Sequence, residues 1–186
     1  MGAQRIEEKK DTQSVCIWDK ASLREKPLKD GKWLSAMALG ERVIWTGEEQ
    51  IDATDKKRKY LNIRLSDGTE GWASEYVIAK NAIPSVIIKK ASIYRRPDLI
   101  TITDKEFKAM DFVAVLGSKN DWIEVTSEQN KIKGWIQAAF ISPKDEDITV
   151  AILASKAYAE KDTEKMEKQI DFILNNPQFS NSVFIS

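Results

Sequence analysis

The sequence predicts a mainly β protein: two tandem copies of one small β-barrel followed by a C-terminal α-helical pair. Three observations carry that prediction. First, Gly71-Trp72-Ala73-Ser74-Glu75-Tyr76-Val77 returns as Gly134-Trp135-Ile136-Gln137-Ala138-Ala139-Phe140-Ile141, each copy after a polar turn and each ending in an aromatic–aliphatic pair. Second, Ala21-Ser22 and Ala91-Ser92, Pro27 and Pro97, and Gly47 and Gly117 are all 70 residues apart, the spacing of a duplicated domain. Third, beyond Pro143 the apolar residues change from short β-like runs to helical spacing.

Taken in order, residues 1–13 are polar and aperiodic and predict a flexible arm. The first copy, residues 14–80, offers strands at Val15-Cys16-Ile17-Trp18, Arg42-Val43-Ile44-Trp45, Tyr60 to Leu65, and Gly71-Trp72-Ala73. Tyr60, Asn62 and Arg64 alternate with Leu61, Ile63 and Leu65, as in a strand with one buried face. Ser66-Asp67-Gly68-Thr69 predicts a tight hairpin, because Asp-Gly tolerates positive φ; Gly68 and Gly71 both read as turn glycines. The second copy, residues 83–143, repeats the plan after a short linker. Between Gly47 and Tyr60 the first copy holds about eight extra residues, read as an enlarged loop.

In the C-terminal segment, residues 144–186, a first helix is predicted over Asp147 to Glu160, apolar on most sides and therefore buried. Asp162 or Thr163 caps a second helix, with Met166, Ile170, Ile173 and Leu174 on one stripe and a stop at Asn175-Asn176-Pro177. The end, Ser182 to Ser186, fits a last strand or a frayed tail.

Composition excludes several chemistries. The chain has 186 residues, 29 basic and 29 acidic, so no overall field draws it to nucleic acid or anionic polymers. It has no histidine, which rules out Ser-His-Asp and Cys-His catalysis and His-containing metal sites. The single cysteine, Cys16, sits in an apolar run and reads as a buried, inert thiol. No apolar run approaches the roughly 18 residues of a membrane span, so no transmembrane segment is predicted. The first six residues lack a signal core and a myristoylation site. That predicts a cytoplasmic chain or one whose export signal has been removed.

Several segments resemble bacterial SH3-like (SH3b) domains. Ala21-Ser22-Leu23-Arg24 with Pro27 is similar to that family's opening, and Leu39-Gly40-Glu41-Arg42-Val43 to its middle strand. Asp121-Trp122-Ile123-Glu124-Val125 is similar to its Trp-x-x-Val strand, and the two Gly-Trp segments to its closing strand. The second copy departs in having Ile93-Tyr94 for Leu-Arg, and the first in having Tyr60 for Trp. The resemblance implies two tandem SH3-like barrels from a family found in bacterial envelope proteins, often beside cell-wall hydrolases. That family is thought to bind peptidoglycan, its peptides or protein partners.

Candidate ligand-binding residues follow from position. Trp122 and Tyr60 begin strands just after the variable loop and are placed equally for an open groove or for packing. Tyr94, Arg95 and Arg96 lie on a loop facing that groove, or on a solvated one; Tyr76 and Phe140 lean toward the core. Trp33, peculiar to the first copy, reads as a contact with a partner or the second copy. Trp72 and Trp135 fit packing at the core or rim better than a ligand platform, and Lys56 to Lys59 fit a solvated loop better than an anion site. No carboxylate pair marks acid–base work, and no catalytic residue, metal ligand or cofactor is predicted.

The sequence thus predicts a non-catalytic binding or scaffold protein of the bacterial envelope, holding a cell-wall peptide, glycan or protein partner in an aromatic groove. The alternative is a structural or regulatory subunit with no groove. A periplasmic or envelope location follows from the resemblance, and a lipid anchor and the oligomeric state stay open.

Overall fold

The computed structural model describes residues 10–185; the predicted arm lies mostly outside the described residues, and its last two positions are already strand. The chain divides into two compact units, one ending at Asn81 and the other beginning at Ala82.

In the first unit the strands are β1 (Thr12–Cys16), β2 (Ala21–Arg24), β3 (Trp33–Met37), β4 (Arg42–Asp52), β5 (Arg58–Arg64), β6 (Glu70–Ser74) and β7 (Ile78–Ala79). They pair antiparallel in the order β3-β2-β6-β5-β4-β1-β7. The second unit has β8 (Ile83–Ile87), β9 (Ala91–Tyr94), β10 (Ile102–Phe107), β11 (Phe112–Lys119), β12 (Trp122–Ser127), β13 (Lys133–Gln137) and β14 (Ile141–Ser142). Their order, β10-β9-β13-β12-β11-β8-β14, repeats the first sheet strand for strand. Local bonds repeat as well: Glu41 accepts the Ala38 N–H and Asp111 the Lys108 N–H, both at 2.8 Å.

Period-two alternation builds each core. On β5, Leu61 and Ile63 join Leu23, Met37, Val43 and Ala73, whereas Asn62 points to the opposite face. On β12 and β13, Val125 and Ile136 join Ile87, Ile93, Phe107 and Val113. Each Val, Leu, Ile, Phe or Met among them that is fully withdrawn from water is worth about 1.5–3 kcal/mol. The predicted Asp67-Gly68 turn is present: Gly68 has φ +89, the Leu65 N–H meets Thr69 O at 2.8 Å, and Asp67 accepts the Thr69 N–H at 2.9 Å.

Two readings of the first unit are corrected. The extra residues after Gly47 are mostly strand, not loop: β4 runs to Asp52 and pairs with β5 down to the Asp52–Arg58 rung. Gly71 is not a turn glycine. A Cβ there would come within 2.6 Å of Arg24 O and 3.0 Å of the Leu23 and Leu34 side chains. Gly134 is its counterpart, where a Cβ would lie 2.6 Å from the Ile93 side chain and 3.0 Å from Tyr94 O. Glycine opens each Gly-Trp segment because β6 and β13 cross their neighbours too closely for any side chain.

Two helices complete the second unit. α1 (Asp145–Ala159) buries Ile148 and Ala151 against Val86 of β8, and α2 (Thr163–Asn175) rests on α1 through Ile173. Asp162 caps α2 by accepting the Lys165 N–H at 3.2 Å. Leu174, assigned by its spacing to the packed stripe, is exposed; Met166 and Ile170 are half-buried. The C-terminal residues form neither a strand nor a frayed tail. Ser182 is buried, and Phe179, Phe184 and Ile185 pack on the helices. Asp147 organises this end: its carboxylate accepts from the Ser142 hydroxyl at 2.5 Å, the Ser182 hydroxyl at 2.8 Å and the Val183 N–H at 2.8 Å.

Candidate functional site

Side chains on the outer face of each sheet, opposite its core, form the surface that the sequence marks out. In the second unit the register sets Trp122 opposite Gln137, Glu124 opposite Trp135, and Trp135 opposite Tyr94. Because strand side chains alternate, these five residues share one face. Tyr94 and Trp122 meet edge to face, ring centroids 4.8 Å apart at 79°, the arrangement in which the positive edge of one ring meets the negative face of the other. Tyr94 is buried, while Trp122, Glu124, Trp135 and Gln137 are half-buried, so part of each remains open to solvent. The Lys133 ammonium lies 3.6 Å from the Glu124 carboxylate at the margin. Between β11 and β12 only Asn120 and Asp121 intervene, so nothing from that hairpin overhangs Trp122.

At the same positions in the first unit Tyr60 and Asn62 are buried, while Arg24, Trp72 and Ser74 are half-buried. Arg24 and Asn62 both pair with Trp72, and Tyr60 pairs with Ser74. Tyr60, expected to be as open as Trp122, is only 4 % exposed. Burial pushes its phenol pKa up, and the charges of Arg58, Asp55, Asp52 and Arg24 act on it. These charges come largely from the extended β4–β5 hairpin. At its end Asp52 is buried and accepts from the Thr54 hydroxyl at 2.6 Å and the Thr54 N–H at 2.9 Å. These bonds, with help from the backbone N–H groups of Lys29 and Asp55, hold its carboxyl below the usual range. The Lys29 bond joins the hairpin to the loop between β2 and β3. Arg24 is turned to that loop as well, donating to Gly31 O at 2.9 Å. Asn62 accepts from the Thr46 hydroxyl at 2.8 Å and donates to Gly71 O at 3.3 Å.

The remaining candidates are scattered. Tyr76, expected to lean into the core, is exposed, with the Arg58 guanidinium 5.7 Å from its ring centroid. Phe140 does pack on the second core, and the Lys89 ammonium lies 4.8 Å from its ring centroid. Tyr94 ends a strand instead of sitting on a loop; Arg95, exposed, begins the loop after it. Trp33 is exposed at the start of β3. Trp72 and Trp135 lie on the outer faces and belong to neither core cluster. Glu124 and Gln137 were not singled out from the sequence, although alternation from Trp122 and Trp135 already puts them on that face.

Cys16 is fully buried and its thiol lies 3.0 Å from Trp18 O. Burial, opposed by that hydrogen bond and reinforced by Glu41 and Asp19, pushes its pKa up to about 12, so it is no nucleophile at neutral pH. Among the described residues, no three His, Cys, Asp or Glu side chains are grouped to hold a metal ion. No helix among them is long and apolar enough to cross a membrane.

No known family model and no curated protein matches the sequence. Among solved structures, the chain is similar to NlpC2 from Trichomonas vaginalis, with 15 % identity and a TM-score of 0.31, over 81 % of this chain and 56 % of that one. It is also similar to NlpC1 from the same organism, with 13 % identity and a TM-score of 0.32, over 83 % and 58 %. This chain spans little more than half the length of either. The expectation of a non-catalytic binding or scaffold protein is overturned here: NlpC proteins are typically peptidoglycan-hydrolysing enzymes and not non-catalytic binders. At these TM-scores the likeness supplies no site and no reaction for this chain.

Proposed function

We propose that the chain is the substrate-engaging part of a peptidoglycan hydrolase, with the bond-breaking groups supplied by residues other than Cys16. The observation that carries this reading is the open aromatic face of the second unit. Trp122 offers a ring held edge-on by Tyr94, with Glu124 and Gln137 beside it as hydrogen-bonding groups. A fixed ring with flanking polar groups suits a sugar–peptide segment, whose apolar faces stack while its amides and hydroxyls are paired. The resemblance of Asp121 to Val125 to the SH3b strand supports the same reading, since that family stands beside cell-wall hydrolases. Such a face raises the local concentration of the bond to be cut and holds it in one orientation, which lowers the entropic part of a hydrolytic barrier. The first unit offers no ring in the same way, because Tyr60, at the position of Trp122, is buried.

The test titrates the purified chain with soluble disaccharide-peptides released from peptidoglycan, reading tryptophan fluorescence. Saturable binding is expected, weakened about tenfold in Trp122→Ala, as loss of one stacking ring implies, and unchanged in Tyr60→Phe. Equal binding by Trp122→Ala removes the face from the account. Release of fragments from intact peptidoglycan by the chain alone would instead place the hydrolytic centre inside it.

A further inference from the structure

The loop between β9 and β10 is held rigidly yet presents aliphatic side chains to water. Thr101, buried, anchors it: its hydroxyl lies 2.7 Å from Asp98 O and 3.0 Å from Arg96 O and accepts the Arg96 N–H at 3.1 Å. Asp98 spends its carboxylate on the Ile100 N–H at 3.1 Å. On this frame Leu99 is 63 % exposed, Ile100 85 % and Ile102 54 %. Arg95 and Arg96, both exposed, stand at the base.

The first unit repeats the device at the same place. The Leu28 N–H meets Lys26 O at 2.8 Å and the Gly31 N–H meets Leu28 O at 3.0 Å, as the Asp98 N–H meets Arg96 O at 2.7 Å and the Thr101 N–H meets Asp98 O at 3.1 Å. Trp33 pairs with Arg24 as Ile102 pairs with Tyr94, and it too is exposed, by 56 %. Leu28 is exposed at the tip, among Lys26, Lys29 and Lys32. The residues differ between copies; the pairing of exposed apolar side chains with cations does not.

We propose that each of these loops, on its own unit, is suited to bind the surface of an anionic phospholipid bilayer, the apolar tip entering the acyl boundary and the cations meeting headgroup phosphates. A side chain projecting as far as Ile100 is matched only by a partner that closes around it. A fluid bilayer does so without a preformed pocket, and it accepts aliphatic side chains and tryptophan at its interface. The flanking arginines and lysines select anionic lipid over neutral lipid. This inference is independent of the peptidoglycan reading, because it uses neither Trp122 nor its face.

The experiment is sedimentation of the intact chain with vesicles of phosphatidylcholine alone or enriched in phosphatidylglycerol. Pelleting is expected only with the enriched vesicles and is expected to fall with added salt. The Leu99→Ser/Ile100→Ser double variant should bind about tenfold more weakly or worse, and Arg95→Gln and Arg96→Gln about fivefold more weakly each. Thermal unfolding of all three should match the parent, since the replaced side chains are exposed. A parent chain that stays in the supernatant at every lipid concentration overturns the proposal. So does loop-variant pelleting equal to the parent's, or equal pelleting on neutral and anionic vesicles.

Discussion

Gly71 shows how a single atom constrains the first sheet. Its absent side chain lets β6 lie against the Arg24 carbonyl, where a methyl group would be only 2.6 Å from backbone oxygen. Gly71→Ala should therefore lower stability by about 2 kcal/mol, within the range for overpacking. Gly117 provides the contrast: nothing lies within 4 Å of its missing Cβ, so Gly117→Ala should stay within about 0.5 kcal/mol of the parent. Urea unfolding midpoints of the two variants check both values. The recurrence of Gly-Trp was plain in the sequence, but its cause was not, because spacing along a chain does not reveal how closely two non-adjacent strands cross. The same gap explains Tyr60. Its alternation with Leu61 correctly put it on the outer face, yet alternation does not say that this position is withdrawn from solvent.

At the scale of elements, Asp147 joins three pieces of chain. Burial pushes its carboxyl up, but hydrogen bonds from Ser142, Ser182 and the Val183 N–H, with the nearby Lys144 charge, more than offset this and leave it below the usual range. A carboxyl depressed in the folded state stabilises fully above its unfolded value, near 3.9, and the contribution is lost as pH falls through the folded value. Acidification from neutral pH to below that range should thus weaken the hold on residues 182–183. Asp147→Ala should cost about 2 kcal/mol at neutral pH by leaving its donors unpaired, and the difference from the parent should shrink in acid. Thermal melts of both proteins across that pH range measure it. The helices themselves were legible from periodicity, with α1 found over Asp145–Ala159 and α2 capped by Asp162 and stopped before Pro177. The tail was not. Ser182 and Val183 carry no periodic signal, and their partner lies 35 residues earlier.

For the molecule as a whole, duplication dominates. Each unit has its own core cluster and its own seven-stranded sheet, which predicts that residues 10–81 and 82–186, expressed separately, each fold. Cooperative urea unfolding and native near-ultraviolet dichroism of both fragments are the expected result; an unfolded fragment would show that its sheet depends on the other half. The repeat was readable because the offset of 70 holds through identical residue types. The unequal fate of the two outer faces was hidden, since an insertion reads the same whether it hangs free as a loop or extends a hairpin.

That hairpin bears on how the chain reaches its native state. Tandem copies with one strand order invite a strand of one copy to be taken up in the other during folding. Here β4 and β5 run two rungs, Ile51–Lys59 and Asp52–Arg58, beyond β11 and β12. A strand inserted into the wrong copy would leave those rungs without partners and would part Asp52 from the Lys29 N–H on the β2–β3 loop. The inserted residues thus act as a key cut for one lock, marking the first copy as distinct while the chain sorts its strands.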